Sequence, residues 1–170
     1  IKLQDFVFTD NSSTAILSRF DLVPGSFLIL TSGTNADLFS GFGDVMGLSN
    51  FPSLSNAGET LFLKRRDAEI VDSLQYNVSF YNDEAKQDGG YTIELINPES
   101  PCFDPSNYHA STDANQGTPG VQNAVFDNTP DTTAPELTSL EVISDLQLRV
   151  TFNESMDVGS IAASDFSISG

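Results

Sequence analysis

"LFLKRRDAEIVDSLQY", residues 61–76, decides the fold. Two short runs rich in β-branched and aromatic residues flank Arg66-Asp67-Ala68-Glu69. Their apolar positions recur at the two-residue period of a strand rather than at the three-and-four spacing of a helix. The stretch reads as a β-hairpin turning at residues 66–69, with Ile70, Leu74 and Tyr76 on one face of the return strand. Asp72 interrupts that strand, where burial would be costly without donors, and it reads as a carboxylate bonded to turn amides or to an arginine. Lys64, Arg65 and Arg66 carry three of the chain's seven positive charges beside the turn. They form either a solvated hairpin end or a docking patch.

Working outward, the same grammar repeats in "LQDFVFTD" (3–10), "SFLILTS" (26–32), "YTIELIN" (91–97), "LTSLEVI" (137–143) and "LQLRVTF" (146–152). Each is short and bounded by Gly, Pro, Asn, Asp or Ser, which predicts an all-β fold and a β-sandwich. Alternation in the first run places Phe6 and Phe8 together on the core face. Residues 35–47 and 158–166 hold only a broken apolar pattern, so single helical turns are the most that is expected there. "STDANQGTPGVQN" (111–123) has almost no apolar side chains, and its Gly117, Pro119 and Gly120 predict a fixed succession of turns.

The 170-residue chain carries 24 Asp and Glu against seven Lys and Arg, a net charge of −17. Such a surface repels nucleic acid and anionic membranes and suits Ca²⁺ or simple solubility. No apolar run reaches the roughly 18 residues a membrane span needs. Residue 1 is Ile and no basic-then-apolar segment precedes the first strand-like run, so the expectation is a processed or excised piece of a longer protein. Cys102 is the lone cysteine, which leaves no internal disulfide and no thiolate metal site. Composition shifts at "FDNTPDTTAPE" (126–136), and this marks a domain boundary. The expected organisation is residues 1–126, a linker over 127–134, and 135–170 as part of a second unit.

In order, "LVPGSFLIL" (22–30), "LSNAGETLFLKRRDAEIVDSLQY" (54–76), "DGGYTIELINPESPC" (88–102) and "STDANQGTPGVQNAV" (111–125) resemble the lamin-tail domain of secreted bacterial proteins. The resemblance implies an immunoglobulin-like β-sandwich over residues 1–126, closed by the turn at Gly117-Thr118-Pro119-Gly120. Members of that family begin with a further strand or two, absent before Ile1. This implies an open pairing edge, and with it a strand-sharing homodimer near Ile1. From Thr133 onward, with "VTFNESMD" as the matching part, the chain resembles the start of a bacterial immunoglobulin-like module, a partial second β-sandwich.

Candidate chemistry is sparse. His109 is the only histidine, no Gly-x-Ser-x-Gly elbow accompanies it, and "NYHAS" reads as a loop, so no catalytic residue is expected. Tyr81 and Tyr108, on expected loops, are the residues best suited to stack on a sugar ring; a role in packing is the alternative. Asp127, Asn128, Asp131 and Asp157 offer hard oxygen ligands near the linker, which either hold Ca²⁺ or stay solvated. No other cofactor is expected. The resemblance and composition together imply a non-catalytic module, extracellular or on the cell surface of a bacterium, that spaces, displays or anchors neighbouring domains of the same polypeptide. The alternatives are a module binding polysaccharide or a surface protein, and an appendage of a secreted nuclease or phosphoesterase whose chemistry lies elsewhere. Neither nucleic-acid binding nor membrane insertion is expected.

Overall fold

The computed structural model describes residues 1–100, 104–130, 132–154, 156, 159 and 161–167. Ten strands and six short 3-10 turns make up the regular structure of these residues, and the fold is all-β. Strands β1 (Phe6–Thr9), β2 (Thr14–Ile16), β5 (Gly58–Arg65) and β6 (Ile70–Asn77) form one antiparallel sheet in the order β2-β1-β5-β6. Three pairs complete the set: β3 (Ile29–Ser32) parallel to β4 (Val45–Leu48), β7 (Ile93–Leu95) antiparallel to β8 (Tyr108–Ala110), and β9 (Leu137–Ser144) antiparallel to β10 (Gln147–Phe152).

The hairpin at 61–76 forms where the sequence places it. Arg65 N–H donates to Glu69 O at 2.8 Å, and Ala68 takes a left-handed φ of 74° at the tip. A bulge after Leu63 sets Lys64 opposite Ile70 and Leu63 opposite Asp72, so Val71 is the extra residue. Leu74 and Tyr76 are half-buried, whereas Ile70, beyond the bulge and next to the tip, is exposed. Asp72 is exposed too, and its carboxylate accepts from the Ser73 amide at 2.8 Å. Burial cost therefore does not arise for this carboxylate.

Leu3, Phe6, Ala15, Leu17, Met46 and Leu48 form the buried apolar cluster, with Phe8, Leu30, Phe51 and Leu63 packed on it. The core thus gathers side chains from β1, β2 and β5 with those of the parallel β3–β4 pair. As expected, Phe6 and Phe8 both reach it, and the Phe8 ring lies 5.4 Å from that of Phe51. The start of the expected first strand is instead a 3-10 turn, Leu3–Asp5. Three strands lie outside the sequence expectation. β2 follows an Asp10 turn in which the carboxylate takes the Ser12 and Ser13 amides at 2.8 and 2.6 Å. β4 runs through residues expected to be irregular, after the anticipated helical turn Ala36–Phe39. Close approach favours Gly47 in it, since a Cβ there would lie 3.0 Å from Ala36 Cβ and 3.1 Å from Gly33 Cα, and those neighbours would have to give way. β8 turns the expected loop around His109 into a strand.

The β9–β10 hairpin has one apolar face, in which Leu140 opposes Val150 and Val142 opposes Leu148. Its other face carries the Arg149–Glu141 ion pair at 3.0 Å. Every residue of β9 is exposed.

Candidate ligand-binding cleft

Glu94, in the middle of β7, is the one charged residue buried among those described. Its Oε1 accepts from the Thr118 hydroxyl at 2.6 Å and the Thr92 hydroxyl at 3.2 Å, and its Oε2 accepts from the Ala124 amide at 2.9 Å. Burial pushes its pKa up, but the donors Thr118, Ser111, Thr92 and Ala124 together outweigh burial and hold the carboxyl below the usual glutamate range. Around this carboxylate the 111–124 segment is tied to β7 by Ser111 N–H to Thr92 O, Thr92 N–H to Gln116 O and Asn123 Nδ2 to Leu95 O, each at 2.9 Å. The nearly core-less stretch is therefore ordered by polar contacts. At its tight point Gly120 has φ of 75°, and a Cβ there would collide with the Phe42 carbonyl oxygen.

Beside this polar knot, β6 and β7 flank an open cleft of about 340 Å³ whose lining includes Ser55, Leu74, Tyr76, Tyr81, Thr92 and Tyr108. A second cleft of about 450 Å³ continues it past Leu74, Ile93 and Tyr108 to Asp72, Asn97 and Asp104. Tyr81 and Tyr108, 27 positions apart in the chain, thus line one cleft. The 3-10 turn Val78–Tyr81 carries Tyr81, whose hydroxyl donates to Tyr91 O at 3.2 Å. Tyr108 opens β8, with its ring 4.9 Å from that of buried Phe80. Asn82, at φ 45°, donates through Nδ2 to Pro105 O at 3.0 Å and Tyr108 O at 2.7 Å, which fixes the segment behind Tyr81 to the start of β8.

Tyr76, read in the sequence as a face residue of the return strand and not as a site residue, lines the same cleft. Its hydroxyl faces Ser55 O at 2.9 Å and Glu59 Oε1 at 3.0 Å. Burial first, then the hydrogen bond and charge of Glu59, push its pKa up to about 12. Burial and the charge of Asp72 raise that of Tyr108. Both phenols stay neutral at physiological pH, so the cleft offers aromatic faces and aliphatic walls beside hydroxyl and amide groups. That combination suits a sugar ring, which pairs C–H faces with hydroxyls.

Of the remaining candidates, Asp127 and Asn128 do not line either cleft. Asp127 lies after the polar knot, where its amide donates to Ile96 O at 3.1 Å and its carboxylate takes the Thr129 amide at 2.8 Å. Hydrogen bonds from the Thr129 side chain and main chain hold this carboxyl below the usual range. Asn128 follows it in the exposed linker, while Asp131 and Asp157, like Cys102, lie outside the described residues. Among the described residues no three His, Cys, Asp or Glu side chains come together in a metal-holding group. His109 Nδ1 lies 2.8 Å from Ala110 O. Among the described residues no helix is long and apolar enough to cross a membrane.

Comparison with protein families, with curated proteins and with solved structures finds no match. The sequence marks Glu94, a charge between Ile93 and Leu95 in an apolar strand, no differently from the exposed Asp72. Tyr76 shares the parity of Leu74, which also pointed inward.

Proposed function

We propose that this chain is a non-catalytic accessory module of a larger extracellular or cell-surface bacterial protein, in which it spaces, displays or anchors neighbouring domains. Residues 1–126 would form an immunoglobulin-like sandwich of lamin-tail type, joined by a short acidic linker to the start of a second module. The observation that supports this reading is the use of Glu94. The one buried charge among the described residues is saturated by Thr92, Thr118 and the Ala124 amide, so it braces a turn instead of facing a reactant. His109 likewise directs Nδ1 at a neighbouring carbonyl. The test is a panel of ester, phosphodiester and glycoside substrates offered to the purified chain. Turnover at the level of the blank is expected, and turnover abolished by His109→Ala or Glu94→Gln would overturn it.

A second reading, carbohydrate binding, is favoured by the convergence of Tyr76, Tyr81 and Tyr108 on one cleft. Its test is binding to an array of neutral polysaccharides, with Ca²⁺ and again with EDTA. Binding that Tyr81→Ala or Tyr108→Ala removes would support it, and loss in EDTA would bring in the Asp127 region as a cation site. Silence on the array would leave the spacer reading alone.

A further inference from the structure

Carboxylates outnumber cations 24 to seven in this chain, yet one cleft reverses the balance. It is an open hollow of about 430 Å³ on the β2-β1-β5 sheet, and among the described residues Lys64, Arg65 and Arg66 line it without a single Asp or Glu. Strand register sets Ile16, Val7 and Lys64 in a row across the three strands, with Thr14 and Thr9 in the next row but one along the same face. The floor is therefore aliphatic and the rim is hydroxyl, amide and cation.

The cations are only partly engaged. Lys64 Nζ donates to Asn11 Oδ1 at 2.9 Å and sits 4.5 Å over the Phe62 ring, with no carboxylate partner among the described residues. Arg65 pairs with Glu69 at 3.0 Å, and both side chains are more than half exposed. Arg66 makes no side-chain ion pair among the described residues. At physiological ionic strength the screening length is about 8 Å, so a bound anion feels these cations more than the distant net charge. A long anionic duplex or a membrane would still meet the acidic remainder of the surface.

We propose that this cleft binds a linear acidic polysaccharide carrying carboxylates, a polyuronate. Charge complementarity places its carboxylates on Lys64 and Arg66 and the C–H face of a sugar on Val7 and Ile16. An acidic peptide fits less well. The backbone of β1, the central strand of the floor, is paired on both sides, to β2 and to β5, so a peptide lying over Val7 finds no main-chain partners, and only the outer edge of β2 could take one. This site is separate from the tyrosine cleft and does not depend on it.

The test is calorimetric titration of the full chain with oligogalacturonate, its neutral methyl ester and an oligoglutamate peptide. Oligogalacturonate is expected to bind, more weakly as salt rises, and the ester to bind at least about tenfold more weakly. Lys64→Gln combined with Arg66→Gln should cost about tenfold or more, while Arg149→Gln, on the β9–β10 hairpin, changes nothing. Circular dichroism confirms that each variant is folded, and the single variants Lys64→Gln and Arg66→Gln stand in if the double one is not. No binding of oligogalacturonate, equal binding of the ester or the peptide, indifference to the paired substitution, or loss on Tyr81→Ala would each overturn the proposal.

Discussion

Glu94 shows how a single carboxylate can order a segment that has no core of its own. Three donors from Thr92, Thr118 and Ala124 converge on it, and truncation would take this shared acceptor from the half-buried Thr118 hydroxyl and the Ala124 amide and leave a void at a buried position. Glu94→Ala is therefore expected to cost about 3 kcal/mol, measured by denaturant unfolding. Glu94→Gln should cost about 1 kcal/mol, because an amide can accept from the Ala124 N–H while donating to a rotated Thr118 hydroxyl. The pH dependence follows from the lowered pKa. Its stabilisation is complete above the unfolded value of about 4.3 and is lost as pH falls through the lower folded value. Wild-type stability should fall across that acid window, and the part due to Glu94 should be missing in the Gln variant. The same turn makes a second demand, since Gly120→Ala combines a φ of 75° with a clash on the Phe42 carbonyl and should cost about 2 kcal/mol or more. In the sequence, Asp72 and Glu94 look equivalent, each a carboxylate within an apolar strand. Only the fold separates them, because Asp72 lies on an edge strand near a bulge while Glu94 meets donors from residues 17 to 30 positions away.

At the scale of elements, the hairpin of β5 and β6 was legible because both strands are long, apolar and separated by a polar turn. β9 and β10 were legible for the same reason. β2, β4 and β8 were not: they are three or four residues long and contain Ala15, Gly47 and His109, residues with little strand preference of their own. Their conformation is imposed by pairing, as β4 shows by running parallel to β3 across an intervening crossover. The tyrosine cleft was legible only as two isolated rings. Tyr76 joins them because β6 and β7 come together, which no local pattern encodes. The legible hairpin also carries a local cost at Ala68, which holds φ at 74° where a Cβ is unfavourable. Ala68→Gly should stabilise the protein by about 1 kcal/mol and raise Tm by about 2–4 °C in a thermal melt. A lower Tm would mean that the entropy of the unfolded glycine dominates.

For the whole molecule, the decisive contrast is between the apolar cluster and the final hairpin. The buried cluster and the side chains packed on it come from residues 3–63, and none comes from β9 or β10. The hairpin's own apolar face, Leu140 with Val150 and Val142 with Leu148, leaves Leu140, Val142 and Leu148 exposed. A lone two-stranded hairpin is marginal in water, so residues 137–152 contribute little cooperative stability. The expected boundary at residue 126 needs one adjustment before it is tested, because the Asp127 amide donates to Ile96 O and the Asp127 carboxylate caps Thr129. A cut that spares those contacts falls after Thr129. The chain ending at Thr129 should melt within about 3 °C of the full chain, equivalent to about 1 kcal/mol, and with similar steepness. The isolated 130–170 peptide should show no cooperative transition. A fall in Tm of more than about 5 °C would instead mean that the hairpin's apolar face is covered by the first unit, and that the two parts fold together.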